Sequence, residues 1–160
     1  MRASHPEVII GAVTNARADP ARMPRLAPLF DFCVSGEDAA VWPGNKPSPT
    51  IYEHALEVAA SAAGGGASAD TLRSAWVHVG DCLLNDVEAS KRVGAQTLWL
   101  DAPADELSSF STASAEEEAR RVAARQAALE AGYVDERIER FEQLPSAVAR
   151  VLRMEVKCAP

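Results

Sequence analysis

The stretch Trp76-Val77-His78-Val79-Gly80-Asp81-Cys82-Leu83-Leu84-Asn85-Asp86-Val87-Glu88-Ala89-Ser90-Lys91-Arg92-Val93-Gly94 decides the fold. It begins as an apolar run with β-branched valines, the composition of a strand buried on both faces. The run stops at Gly80-Asp81, where a glycine permits a tight turn and a carboxylate sits just past the strand. Asn85 or Asp86 reads as a helix cap, Glu88 can pair with Arg92 one turn later, and Gly94 supplies the stop. Strand, turn and helix make half of a βαβ unit. In open parallel sheets ligands bind beyond the carboxyl ends of the strands, which is the place of Asp81. A hard oxygen there suits Mg²⁺ with a phosphate on its far side. The plainer reading is that Asp81 and Asp86 only turn the chain and cap the helix, and this stretch alone leaves both open.

Working outward, 160 residues suffice for one domain with a real core. A hydrophobic content of 48% and a charged content of 24% are those of an ordinary globular protein. The net charge of −7 argues against a sequence-independent nucleic-acid binder, which needs a basic face. No apolar run approaches the ~20 residues of a membrane span. Cys33, Cys82 and Cys158 are scattered and never form a CxxC pair. They read as reduced thiols in a cytoplasmic compartment, with Cys82 a small apolar filler and no zinc site. No charged leader precedes a long apolar core, so a secretory signal is not expected. Arg2 and Arg17 leave a mitochondrial transit peptide open, and Glu7 counts against it.

Val8-Ile9-Ile10-Gly11-Ala12-Val13 is a second buried-strand candidate, ending in Thr14-Asn15-Ala16. A hydroxyl followed by free backbone N–H groups can hold a phosphate oxygen, although Thr-Asn after a strand is most often only a turn. Asp19 and Pro20 open a helix that Pro24 and Pro28 interrupt, leaving short turns expected to bury Leu26, Leu29 and Phe30. Phe32-Cys33-Val34 is a short strand. In Lys46-Pro47-Ser48-Pro49, Pro47 holds Lys46 extended, Ser48 caps, and Pro49 begins a helix. Its apolar positions are Ile51, Ala55, Val58, Ala59 and Ala62. A lysine on such a turn can project its ammonium into a site, or be an ordinary solvated lysine. Gly64-Gly65-Gly66 links back to the central strand. Gln96 to Leu100 is a further strand. Residues 101–113 read as a flexible loop, and residues 114–132 as a surface helix with Ser114 and Glu117 as its capping box. A weak edge strand fits within Tyr133–Phe141, and Pro145 starts a final amphipathic helix. The alternation gives an α/β class with a mostly parallel sheet.

The order strand-Thr-Asn, then Lys-Pro-x-Pro opening a helix, then strand-Gly-Asp-x-x-x-Asn-Asp opening another, resembles the haloacid-dehalogenase-like (HAD) hydrolase superfamily. The likeness is closest to its phosphatase-like branch. It runs from about Val8 to Leu100 and returns at Phe141-Glu142-Gln143-Leu144-Pro145. It implies a Rossmann-like core in which Thr14 and the backbone of Asn15 and Ala16 bind phosphoryl oxygens. It further implies that Lys46 faces the nucleophile and the phosphoryl group, Asp81 binds Mg²⁺, and Asp86 supports the site. The implied substrate is a small phosphorylated metabolite. One feature of the family has no match: no Asp-x-Asp follows an apolar strand before Thr14. The first strand, which is central in this fold, and the cap domain are likewise unmatched. The expectation is one partial core domain over residues 1–160, inactive alone for want of the nucleophilic aspartate. It is either the C-terminal portion of a hydrolase or a non-catalytic binding or structural subunit whose partner supplies the missing strand. A third reading is an unrelated α/β binding protein with coincidental motifs.

Overall fold

Hydrogen bonding sorts the strands into two parallel sheets. The computed structural model describes residues 8–17, 19–102 and 115–156. Contacts divide the chain into one unit of Met1–Trp76 with Arg92–Gly94, and a second of Val77–Lys91 with Ala95–Pro160.

In the first unit β1 (Gly11–Thr14) pairs with β2 (Phe32–Ser35), Gly11 opposite Phe32 and Thr14 opposite Ser35. The strand expected over Val8–Val13 thus starts later. Ile10 instead receives Asp31, exchanging its N–H for the Asp31 carboxylate and its carbonyl for the Asp31 N–H, each at 2.7 Å. Glycine is required at position 11, because a Cβ there would stand 2.0 Å from the Phe32 ring. Asp19 caps a 3₁₀ turn, Pro20–Arg22, by accepting the Ala21 N–H at 2.9 Å. A second turn covers Ala27–Leu29. The expected burial of Leu26 and Leu29 is corrected: they are 37% and 48% exposed. Turns this short, cut by prolines, present no continuous face to pack.

Helix α1 (Pro49–Ala63) begins as expected, with the Ser48 hydroxyl accepting the Thr50 N–H at 3.3 Å. It buries Ile51, Tyr52, Ala55, Leu56 and Ala59 against β1 and β2. The buried stripe is rotated from the expected one: Tyr52 and Leu56 are inside and Ala62 is outside. Tyr52 lies against Trp76, ring centroids 6.0 Å apart. The link through Gly64 to Gly66, all at positive φ, is followed by an unexpected short helix, α2 (Ala69–Arg73). Ser68 nucleates it by accepting the Thr71 N–H at 3.1 Å.

In the second unit β3 (Val77–Gly80), β4 (Gln96–Leu100) and β5 (Glu136–Ile138) pair in that order. The middle strand, β4, is buried along its whole length, whereas β3 is half-buried. Between them a π-helical turn, Leu83–Glu88, runs into α3 (Ala89–Arg92). The cap is Cys82, not Asn85 or Asp86 as expected. The wide turn starts early because the N–H groups of Asp86 and Val87 both reach the Cys82 carbonyl, at 2.8 and 3.2 Å. Gly94, at φ +99°, ends the segment as read from sequence. Helix α4 (Ala115–Glu130) leaves Val122 and Leu129 exposed, and Ala128 is its buried residue among the described side chains. Ser114 and residues 103–113 lie outside the described residues. Helix α5 (Leu144–Val156) packs Ala147 and Val151 onto Leu98, Leu100 and Ile138.

All pairings are parallel and the class is α/β, as expected. The one mostly parallel sheet expected is instead two hydrogen-bonded sheets, with no ladder from β1 to β3 among the described residues. Among the described strands β1 pairs only with β2, and β3 only with β4. No helix among the described residues is long and apolar enough to cross a membrane.

Candidate functional site

Thr14, Asn15, Ala16 and Lys46 belong to the first unit, and Asp81 and Asp86 to the second, so each group is built on its own sheet.

Thr14 is the last residue of β1, and its carbonyl accepts the Gly36 N–H at 2.7 Å, tying the turn to the end of β2. Its hydroxyl oxygen accepts the Ala16 N–H at 3.1 Å. Accepting that bond leaves the hydroxyl proton available to donate outward, while a phosphoryl oxygen would compete for the Ala16 amide. Asn15 does something the sequence did not announce. Its side-chain carbonyl accepts the Lys46 N–H at 2.8 Å, and its Nδ2 donates to the Lys46 carbonyl at 3.1 Å. Lys46, 31 residues away in sequence and half-buried, is thereby brought to the Thr14 turn. Beside this turn a cavity of about 460 Å³ is lined by Arg17, Asp19, Arg22, Cys33, Ser35 and Glu37 among others. Arg17 and Glu37 form an ion pair on its wall. Burial, and then the charges of Asp19 and Asp38, push the Cys33 thiol pKa up, so this is not an activated nucleophile.

On the second sheet Asp81 is exposed just past β3, and its backbone carbonyl accepts the Trp99 indole N–H at 3.2 Å. Asp86 is turned inward and only 6% exposed. One carboxylate oxygen accepts the Cys82 N–H at 3.1 Å, and the other stands 3.9 Å from Nε2 of His78. Gly80 makes room for it: a Cβ there would lie 2.2 Å from the Asp86 Cβ. Asp86 therefore braces the turn that presents Asp81, while Asp81 meets solvent. The sequence reading missed His78, whose place on β3 gave no signal beyond strand alternation.

Among the described residues no three His, Cys, Asp or Glu side chains are grouped to hold a metal. Mg²⁺ usually keeps several waters and takes one or two carboxylates plus substrate phosphate, so an exposed Asp81 fits as one hard ligand. It fits as part of a site, not as a cage.

No curated protein matches the chain. Solved structures do, and two of them are informative. A 2-haloacid dehalogenase from Pseudomonas syringae pv. Tomato DC3000 is 25% identical, with a TM-score of 0.55 over 89% of this chain and 46% of that one. A HAD phosphatase from Thermococcus onnurineus is 17% identical, with a TM-score of 0.50 over 88% of this chain and 50% of that one, a likeness of fold alone. The chain thus spans about half the length of the structures it matches. A family model described as HAD-hydrolase-like matches residues 44–127, just over half of the sequence and inclusive of Lys46, Asp81 and Asp86. With that match over more than half of its length and its parallel α/β units, this chain belongs to the HAD-like hydrolase family.

Proposed function

We propose that this chain is the phosphoryl-binding part of a Mg²⁺-dependent phosphohydrolase acting on a small phosphorylated metabolite. The observation that carries the reading is the joining of the Thr14 turn to Lys46 at the carboxyl end of β1. The Thr14 hydroxyl donates to a phosphoryl oxygen, and the Lys46 ammonium offsets its charge. Charge spread over phosphoryl oxygens is what such fixed donors stabilise. Asp81 is the residue that would hold Mg²⁺, which supplies further charge neutralisation, and Asp86 keeps the Asp81 turn in shape. None of these residues attacks phosphorus. No Asp-x-Asp precedes Thr14, so the nucleophilic carboxylate comes from outside these 160 residues, and the chain by itself is inactive.

Two measurements test this. With generic phosphoesters and Mg²⁺, the 160-residue chain should show no turnover above background. Inorganic phosphate should shift the Thr14 and Lys46 resonances in an NMR titration. Turnover that vanishes in Asp81→Asn would mean that the chain holds its own nucleophile. Absence of any phosphate response, with or without Mg²⁺, would remove the phosphohydrolase reading.

A second reading is favoured by the strand ladders: a non-catalytic binding or structural subunit that takes a strand from a partner protein. β1 and β3 each pair with a single strand among those described, which leaves an edge of each open to β-augmentation. A strand peptide carrying Asp-x-Asp separates the two readings. It restores some hydrolysis under the first and stabilises without hydrolysis under the second.

A further inference from the structure

Asn15 uses both ends of one planar amide on both backbone groups of one residue. The Lys46 N–H donates to Oδ1 at 2.8 Å, and Nδ2 donates to the Lys46 carbonyl at 3.1 Å. This closes a two-bond ring of the kind that pairs neighbouring strands, here made by a side chain. Few residues can do it. Aspartate lacks the donor, serine has a single atom, and glutamine holds its amide one methylene further out.

The surroundings leave the pair little freedom. Gly36 lies against both sides of the joint: a Cβ there would stand 2.7 Å from the Asn45 Cβ and 3.3 Å from Asn15 Oδ1. The Gly36 N–H is bonded to the Thr14 carbonyl at 2.7 Å. The end of β1, the end of β2 and the Lys46 loop therefore meet at Asn15. Around Lys46 the loop is shaped by the Gly44 N–H to Val41 and the Ser48 N–H to Asn45 backbone bonds. The Asn15 amide, bonded to both backbone groups of Lys46, ties that residue to the Thr14 turn.

We propose that Asn15 is a positioning residue for Lys46: its side chain holds the lysine backbone at a set distance from the Thr14 hydroxyl, so that ammonium and hydroxyl address one oxyanion together. This rests on the phosphohydrolase reading for the identity of the oxyanion, but the clamp itself does not. It assigns the Asn15 side chain to Lys46 rather than to substrate. Holding two groups in register before a ligand arrives removes ordering cost from binding.

The test has two arms on the full 160-residue chain. The first is amide hydrogen exchange. Asn15→Ala should speed exchange of the Lys46 N–H roughly tenfold, the loss of about one hydrogen bond to a charge-free partner. The Val13 and Val34 amides should be unchanged. Asn15→Leu, which fills the same space without an acceptor or a donor, should speed Lys46 exchange likewise, and it serves if the alanine variant folds poorly. Unchanged Lys46 exchange in Asn15→Ala would overturn the proposal.

The second arm is a double-mutant cycle on inorganic phosphate binding. Asn15→Ala and Lys46→Met should each weaken affinity, and the double variant should be no weaker than Lys46→Met alone. Additive losses would mean that Asn15 acts on phosphate directly or merely on stability, and the positioning role would fall. If the wild-type chain binds no phosphate while Lys46 exchange responds to Asn15→Ala, the clamp stands and the phosphohydrolase reading fails.

Discussion

Asp86 is the residue on which the turn after β3 depends. It sits over a glycine that cannot carry a side chain, and its carboxylate takes the Cys82 N–H. Gly80→Ala should therefore push the Asp86 side chain out of place. An overpacking cost of about 1–3 kcal/mol is expected in urea denaturation. Unchanged stability would show that the turn relaxes around the extra methyl. Cys33 gives a chemical prediction of a different kind. Its thiol pKa is raised chiefly by burial, with Asp19 and Asp38 adding to the effect. The folded state thus favours the neutral thiol. Its contribution to stability is complete below the ordinary thiol pKa and is lost as pH rises through that value toward the raised one. Alkylation of Cys33 by iodoacetamide near pH 8 should be slower than that of an unfolded-chain cysteine. Faster alkylation would contradict the burial assignment.

At the scale of elements, α1 carries the Lys46 loop, because Ser48 and Pro49 start it two residues after the lysine. The Ser48 cap holds the Thr50 N–H, and the helix is anchored by Ile51, Tyr52 and Leu56. Ser48→Ala should cost about 1 kcal/mol, the usual worth of such a cap. A thermal melt with calorimetric enthalpy would read it. A cost near zero would mean that packing of the buried stripe alone defines the start of α1. The π-helical turn after β3 has the opposite character. It is not a propensity feature, since Leu83, Leu84, Val87 and Glu88 are ordinary helix residues. Its width accommodates a carboxylate turned inward beneath a glycine.

At the scale of the whole molecule, the open ladders dominate. Parallel strands are ordinarily flanked on both edges, and among the described strands β1 and β3 are each paired on one. An apolar strand peptide bearing Asp-x-Asp should therefore bind by main-chain pairing and raise the melting temperature. At a peptide concentration about 100 times Kd, binding adds about 2.7 kcal/mol to stability. For a chain of this size each kcal/mol moves the melt by roughly 2–4 °C. A cooperative melt that the peptide leaves unmoved would show that these edges accept no strand, and the subunit reading would lose its structural motive.

What the sequence by itself determined were the features that short-range chemistry dictates. The Val77–Val79 run became a parallel strand, the Asp19-Pro20 and Ser48-Pro49 pairs opened a turn and a helix, and Gly94 ended a helical segment. The motif residues fell at element ends, Thr14 closing β1, Lys46 shortly before α1 and Asp81 just after β3, because strand ends and caps are local signals. Only the tertiary structure decided which polar groups meet across many residues. Asn15 reading as a turn residue could not reveal that its amide would clasp Lys46. Asp135 likewise gave no hint that it would take both Lys91, at 2.6 Å, and the Thr97 N–H, at 2.7 Å, and so pin β4. Cys82 displaced Asn85 and Asp86 as the cap because room beneath Gly80 drew Asp86 inward. Local preferences of a few tenths to about 1 kcal/mol place an element's ends. Pairing between distant segments depends on where the packed backbone brings donors and acceptors, and a linear pattern does not contain that distance.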